Sequence, residues 1–269
     1  MCRSLSFLRA VTAALMCGTR PWILAIAVVF SVSACSLQAH DFGSLTVEQR
    51  QELGAEIRDY LLSNPEILMQ MVEIIENRSQ EAAASHAQRQ VQVNWEMLQN
   101  DGHSWVGGNP DGDISIIEFI DYRCGFCRRA QPDIEEVLAR DGNIRFVVKE
   151  FPILGQDSLV SAQLALATFR LAGAQKYKLV HDYLISLAPS IGPEVVAEIA
   201  DLTDLDPVQL LQLAESETIE SMIRANHDLA NRLGIEGTPA FVIGQRLVKG
   251  YIPADSILEI IAQEREAGG

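Results

Sequence analysis

The sequence predicts an α/β fold in which a helical insert divides the sheet-forming segments, with a helical region ahead of it. Three observations carry this. Apolar runs at 114–120 and 144–151 have the length and composition of strands, and between them a helix opens on Cys124-Gly125-Phe126-Cys127. Residues 157–233 are helical in pattern, broken at Gly173, Pro189, Gly192-Pro193 and Asp206-Pro207. A hairpin pattern and a last helix close the chain. The order is βαβ, helical insert, ββα.

Each element has a local reason. Ile114-Ser115-Ile116-Ile117-Glu118-Phe119-Ile120 is apolar almost throughout, as a strand buried on both faces is. The helix from Cys127 to about Arg140 ends at Asp141-Gly142, and Pro132 is read as a kink in it. Ala240 to Val248 reads as a hairpin with the two-residue turn Gly244-Gln245. Pro253 to about Glu266 is the final helix. Gly107-Gly108-Asn109-Pro110 marks a loop and a boundary.

Upstream, Thr46-Val47-Glu48-Gln49 carries a capping-box pattern. Ile57, Tyr60, Leu61, Leu68, Met71, Val72 and Ile75 recur at helical spacing, interrupted at Ser63-Asn64-Pro65. From Glu76 to Gln92 the apolar stripe fades, which reads as an exposed stalk. The stripe either packs on the chain's own core or joins copies into a homo-oligomer. The predicted organisation is a targeting segment at 1–39, a stalk at 40–100 and the α/β domain at 101–269, with its insert at 157–233.

The 269 residues carry a formal net charge of −15. Without Arg3, Arg9 and Arg20, which lie before His40, the net is −18. A body this acidic repels phosphate backbones, so nucleic acid is excluded as a partner. Those arginines flank and precede the short apolar run Trp22 to Phe30, and small residues follow it, the order of a secretory signal. An uncleaved anchor is the alternative, for which the run is short, and Met16 is an alternative start. Val32-Ser33-Ala34-Cys35 resembles a lipobox, which would put a lipid on Cys35; Leu37-Gln38-Ala39 offers an ordinary cleavage site instead. Both readings take the chain out of the cytosol.

Export makes the cysteines informative. Cys2, Cys17 and Cys35 fall in the targeting segment, leaving Cys124 and Cys127 in the body. A disulfide between residues three apart closes almost no loop and restricts the unfolded chain little. Redox chemistry is the better reason for the pair. A sulfur at a helix N-terminus sits where free N–H groups favour negative charge, which lowers its pKa and makes it the nucleophile. Cys124 is therefore expected to be exposed and attacking, and Cys127 buried and resolving. The competing reading is a metal site. Zinc needs four ligands, and His40, His86, His103, His181 and His227 are scattered singly. Two thiolates alone suit Cu(I), so a copper-binding envelope protein is the alternative function.

Strand, Cys-x-x-Cys helix, strand, helical insert and then Gly237-Thr238-Pro239-Ala240-Phe241 resemble the DsbA-like thiol oxidoreductases of the thioredoxin-like superfamily. The likeness covers about residues 112–266. It implies that Pro239 is cis and lies against the redox pair, and that the Thr238 backbone pairs with substrate peptide. It implies a partly buried, proton-managing acid at Glu118, and at Lys149 a lysine able to pair with that acid. Phe126 is read as an apolar substrate contact. The resemblance further implies exported substrates with cysteines, a membrane redox partner, no separate cofactor, and the periplasm or cell envelope of a Gram-negative bacterium. Gly125-Phe126 lacks the Pro-His of the strongest oxidases, and Thr238 resembles the isomerases. Tyr60-Leu61-Leu62-Ser63-Asn64-Pro65-Glu66 resembles the stalk of ScsC proteins, DsbA-like members linked to copper tolerance.

Overall fold

The computed structural model describes residues 45–187 and 191–268; the targeting segment with Cys35, and Pro189, lie outside the described residues. The chain divides into two compact units at Asn64/Pro65. In the first, α1 (Val47–Ser63) starts from the expected capping box, in which Thr46 Oγ1 accepts from the Gln49 amide and the Gln49 side chain accepts from the Thr46 amide. None of its residues is buried.

The second unit runs from α2 (Glu66–Val93) and α3 (Trp95–Gln99) through β1 (Trp105–Gly108), β2 (Ile114–Ile120), α4 (Gly125–Asp141) and β3 (Ile144–Glu150). The insert follows as α5 (Gln156–Ser186), α6 (Pro193–Thr203), α7 (Pro207–Ala214) and α8 (Glu217–Leu233), then β4 (Ala240–Ile243), β5 (Arg246–Lys249) and α9 (Ala254–Gly268). The five strands form one sheet in the order β1-β3-β2-β4-β5, with β2 and β3 parallel and the other pairs antiparallel. Gly173 breaks the helical backbone inside α5 at φ 81°, and Pro132 lies inside a continuous α4.

β1 occupies a stretch read from sequence as loop. Its glycines hide it, and one has a packing reason. A Cβ on Gly107 would fall 2.1 Å from the Trp105 indole, two residues away on the same face. That indole stacks on Tyr177 and donates to the Ala174 carbonyl at 3.0 Å.

β2 lies between β3 and β4, and its residues alternate between two cores. Ile116 and Ile120 meet α4, α5 and α9; Ile117 and Phe119 meet Val91, Leu98 and Leu229 on the opposite face. The boundary expected at residue 100 is therefore not the edge of the packed body. The end of α2 and all of α3 lie against the sheet, with Val91 and Leu98 fully buried. Earlier in α2 the stripe is open: Leu68, Met71, Val72 and Ile75 are each about half exposed or more.

Candidate active site

Cys124 is the N-cap of α4, with extended backbone (φ −76°, ψ 118°), and its carbonyl accepts the first helical bond from Arg128 N–H at 3.1 Å. The loop that delivers it is held by Asp121. The Asp121 carbonyl accepts from Cys124 N–H at 3.0 Å. Its buried carboxylate accepts from the amides of Arg123, Ile153 and Leu154 at 2.8, 2.8 and 3.0 Å, tying the approach to Cys124 to the chain after β3. Sequence reasoning missed Asp121, though a short acid two residues before a strand-to-helix turn is an Asx signature.

The two thiols are free. Cys127 donates to the Cys124 sulfur, the Thr238 hydroxyl and the amides of Cys127 and Phe126 add further bonds, and together they pull the Cys124 thiol down to about 5 against the opposing cost of burial. Burial first, then the bond to Cys124 and the charge of Glu118, push Cys127 far above the ordinary thiol range. Cys124 is 7% exposed and Cys127 fully buried, so their order is as read from sequence but Cys124 is not an open residue. Its sulfur sits under the loop before β4, 3.2 Å from the Thr238 carbonyl oxygen. The Thr238–Pro239 peptide is cis. Phe126, two residues after Cys124, is 60% exposed.

Glu118 is 1% exposed on the face of Ile116 and Ile120, the face of the cysteine helix, and neither carboxylate oxygen has a hydrogen-bond partner. Burial first, then the charges of Glu150 and Cys124, raise it to about 8. Lys149 does not pair with it. Strand alternation sends Lys149 to the opposite face with Val147, where it donates to the Met97 carbonyl at 2.8 Å and pairs with Asp101 at 2.5 Å. Nor is it an ordinary solvated lysine, since it is fully buried.

The residue that does share the Glu118 face is Glu150, two along in the parallel register (Glu118↔Val148, Ile120↔Glu150). Its Oε1 accepts from Tyr122 and Tyr177 at 2.7 and 2.6 Å. Counting alternation in both strands would have found it. Among the described residues there is no cluster of three or more His, Cys, Asp or Glu able to hold a metal, and no helix long and apolar enough to cross a membrane.

The thioredoxin family profile matches residues 100–263, more than half of the chain. The chain belongs to the thioredoxin family. A second profile, the copper resistance protein ScsC N-terminal domain, matches residues 49–83 and places this thioredoxin-family chain in the DsbA-like, ScsC-type branch. A thioredoxin-like oxidoreductase from Silicibacter pomeroyi DSS-3 is 34% identical, covering 64% of this chain and 97% of that one, with a TM-score of 0.59. Proteus mirabilis ScsC in a transitional conformation is 27% identical, covering 84% and 100%, with a TM-score of 0.60. Disulfide bond formation protein D of Bacillus subtilis is 23% identical over 169 residues, 59% of this chain and 76% of the relative. The family member described here is a thiol–disulfide oxidoreductase of the DsbA/ScsC type.

Proposed function

We propose that this chain forms, reduces or isomerises disulfides in exported proteins through Cys124 and Cys127. One observation carries the reading: a thiol of strongly lowered pKa caps α4 within 3.2 Å of the backbone carbonyl before Pro239. The Cys124 thiolate attacks one sulfur of a substrate disulfide, forming a mixed disulfide and expelling the other sulfur as thiolate. Cys127, once deprotonated, attacks Cys124 Sγ; the Cys124–Cys127 bond forms and the substrate leaves with the displaced electron pair. The reverse sequence oxidises a substrate dithiol. Glu118 exchanges the Cys127 proton. Backbone groups of Thr238 and the ring of Phe126 hold the substrate peptide, whose own side chains need not be specific.

The rest of the assignment follows from the exported setting. Residues 1–39 direct the chain to the cell envelope of a Gram-negative bacterium, with Cys35 lipidated or removed, and a membrane protein resets the redox state. Exposure of Leu68, Met71, Val72 and Ile75 supports self-association through the stalk, which favours isomerase work because several sites then face one substrate. Refolding of a protein with scrambled disulfides, beside insulin reduction, tests the reading. Activity in neither assay, or activity retained by Cys124→Ser, would overturn it.

A second reading is favoured by the N-terminal match to a copper resistance protein. There the two adjacent thiolates hold Cu(I) as cargo. Cu(I) titration of the reduced chain against the Cys124→Ser/Cys127→Ser double variant separates the two: stoichiometric binding lost in the variant, without exchange activity, selects copper.

A further inference from the structure

The exchange chemistry above leaves Glu150 unused, yet Glu150 sits in a built network. Tyr122 Oη, besides its bond to Glu150, lies 3.1 Å from His181 Nδ1, and His181 Nε2 lies 3.3 Å from Gln131 Oε1. The Gln131 amide is oriented by acids: its Nε2 donates to Glu135 at 3.2 Å and to Asp182 at 3.5 Å, so its oxygen faces the imidazole. That oxygen needs a donor, which puts the His181 hydrogen on Nε2 and leaves Nδ1 as an acceptor toward Tyr122. Burial, then the charge of Lys178, keeps the ring neutral, with its pKa lowered to about 3.

Such a network has two hydrogen arrangements at Glu150 Oε1, while Oε2 has no hydrogen-bond partner. With Glu150 ionised, Tyr122 and Tyr177 both donate to Oε1. With Glu150 protonated, its own O–H donates to Tyr122 Oη, and Tyr122 turns its hydrogen to His181 Nδ1. No heavy atom moves, and every hydrogen keeps an acceptor. A carboxylate with a purely structural role needs only the first arrangement. Glu118, by contrast, has no hydrogen-bond partner at either oxygen.

We propose that Glu150, sharing the sheet face with Glu118, holds the second proton of the two-electron exchange. A substrate dithiol that reduces the Cys124–Cys127 disulfide gives up two electrons and two protons as its own disulfide forms. The electrons break the Cys124–Cys127 bond. One proton goes to Cys127; Cys124 stays a thiolate, and the other proton enters the Glu118/Glu150 pair. The inference rests on Cys124 and Cys127 being the exchange pair. The sign is supported by the electrostatics: burial, then the charges of Glu150 and Cys124, raise Glu118 to about 8, and the Cys124 charge is present only once the disulfide is reduced. Burial likewise raises Glu150 to about 8. The charged or titratable groups around the pair are Asp121 and Tyr122 after β2, Cys124 and Cys127 on the α4 side, and Tyr177 and His181 of α5, with Glu135, Lys178 and Asp182 at the outer end. Lys149 faces away.

The test is proton uptake by the chain per disulfide when the full chain is reduced by an added dithiol in weak buffer with an indicator dye, between about pH 6 and pH 8, the two protons the dithiol gives up being added to the net change the dye reads. The two thiols alone account for one proton there, because Cys124 remains ionised. The expected result is an uptake above one in the wild type. In Glu150→Gln the window moves down by about one pH unit as a like charge is removed, and the excess at pH 8 falls at least twofold. Tyr122→Phe, which keeps the core filled, should shift the same window; the carboxylic-acid C=O stretch in a reduced-minus-oxidised infrared difference spectrum should shift with it. If the wild type takes up one proton, or both variants match it at every pH, the inference is overturned. Absence of any reversible two-electron couple would instead overturn the exchange reading beneath it.

Discussion

Cys124 Sγ lies 3.2 Å from the Thr238 carbonyl oxygen, so the redox sulfur and the backbone that precedes Pro239 form one surface although 114 residues separate them. The Thr238 hydroxyl also favours the Cys124 thiolate. Thr238→Val keeps the shape and removes that donor. Its expected effect is a rise of up to about one unit in the Cys124 pKa, read from thiolate ultraviolet absorbance against pH, with a less oxidising pair. An unchanged titration would remove Thr238 from the electrostatics of the site.

Asp121 is expected to matter for stability more than its size suggests. Replacing it by Asn puts an N–H₂ group against at least one of the amides of Arg123, Ile153 and Leu154 that its two oxygens now satisfy. Leaving buried amides unpaired costs about 1–3 kcal/mol each. Urea denaturation of Asp121→Asn should therefore show a loss of about 1–3 kcal/mol, and Asp121→Ala at least as much.

Glu118 makes stability fall with pH. Its folded pKa is about 8 against an ordinary value of 4.5. Below 4.5 the folded and unfolded chains both hold the proton, and nothing is lost. Between 4.5 and 8 the unfolded chain releases it while the folded chain retains it, so stability declines across that window and levels off above it. Glu118→Gln removes the dependence. The stability difference between variant and wild type should grow in favour of the variant by on the order of 3 kcal/mol from pH 5 to pH 8. A constant difference would mean that Glu118 is not held neutral by burial.

What the sequence could and could not reveal follows from the range of the physics involved. The Cys-x-x-Cys helix, the capping box at Thr46 and the Gly244 turn are local signals, and each stands where its pattern placed it. β1 was illegible because Gly107 and Gly108 read as loop, and its reason for glycine is an indole that only the folded chain brings over it. The pairing of Lys149 with Glu118, which the resemblance implies, fails for another cause: strand parity turns the two side chains to opposite faces. The stalk reading rests on the polar run 76–92 and its boundary on the glycine-rich loop after it, whereas Val91 and Leu98 are single apolar residues that reach the sheet core.

The open stripe on α2 gives a test of assembly. Leu68→Glu with Ile75→Glu places charges two turns apart on that stripe without touching the buried residues of the sheet. Sedimentation of the wild-type chain is expected to show an oligomer, and of the double variant a monomer with thiol exchange intact. A monomeric wild type would transfer the stripe to some other partner and remove the argument for isomerase work.

The central claim is that Cys124 is the attacking thiolate, and alkylation kinetics test it most directly. The reduced native chain is treated with iodoacetamide over a range of pH, and the labelled cysteine is identified by mass spectrometry. The account expects label on Cys124, with a rate half-maximal near pH 5 and flat above it, and Cys127 unreactive until the chain unfolds. Faster labelling of Cys127, or a Cys124 rate still climbing through pH 8, would contradict it.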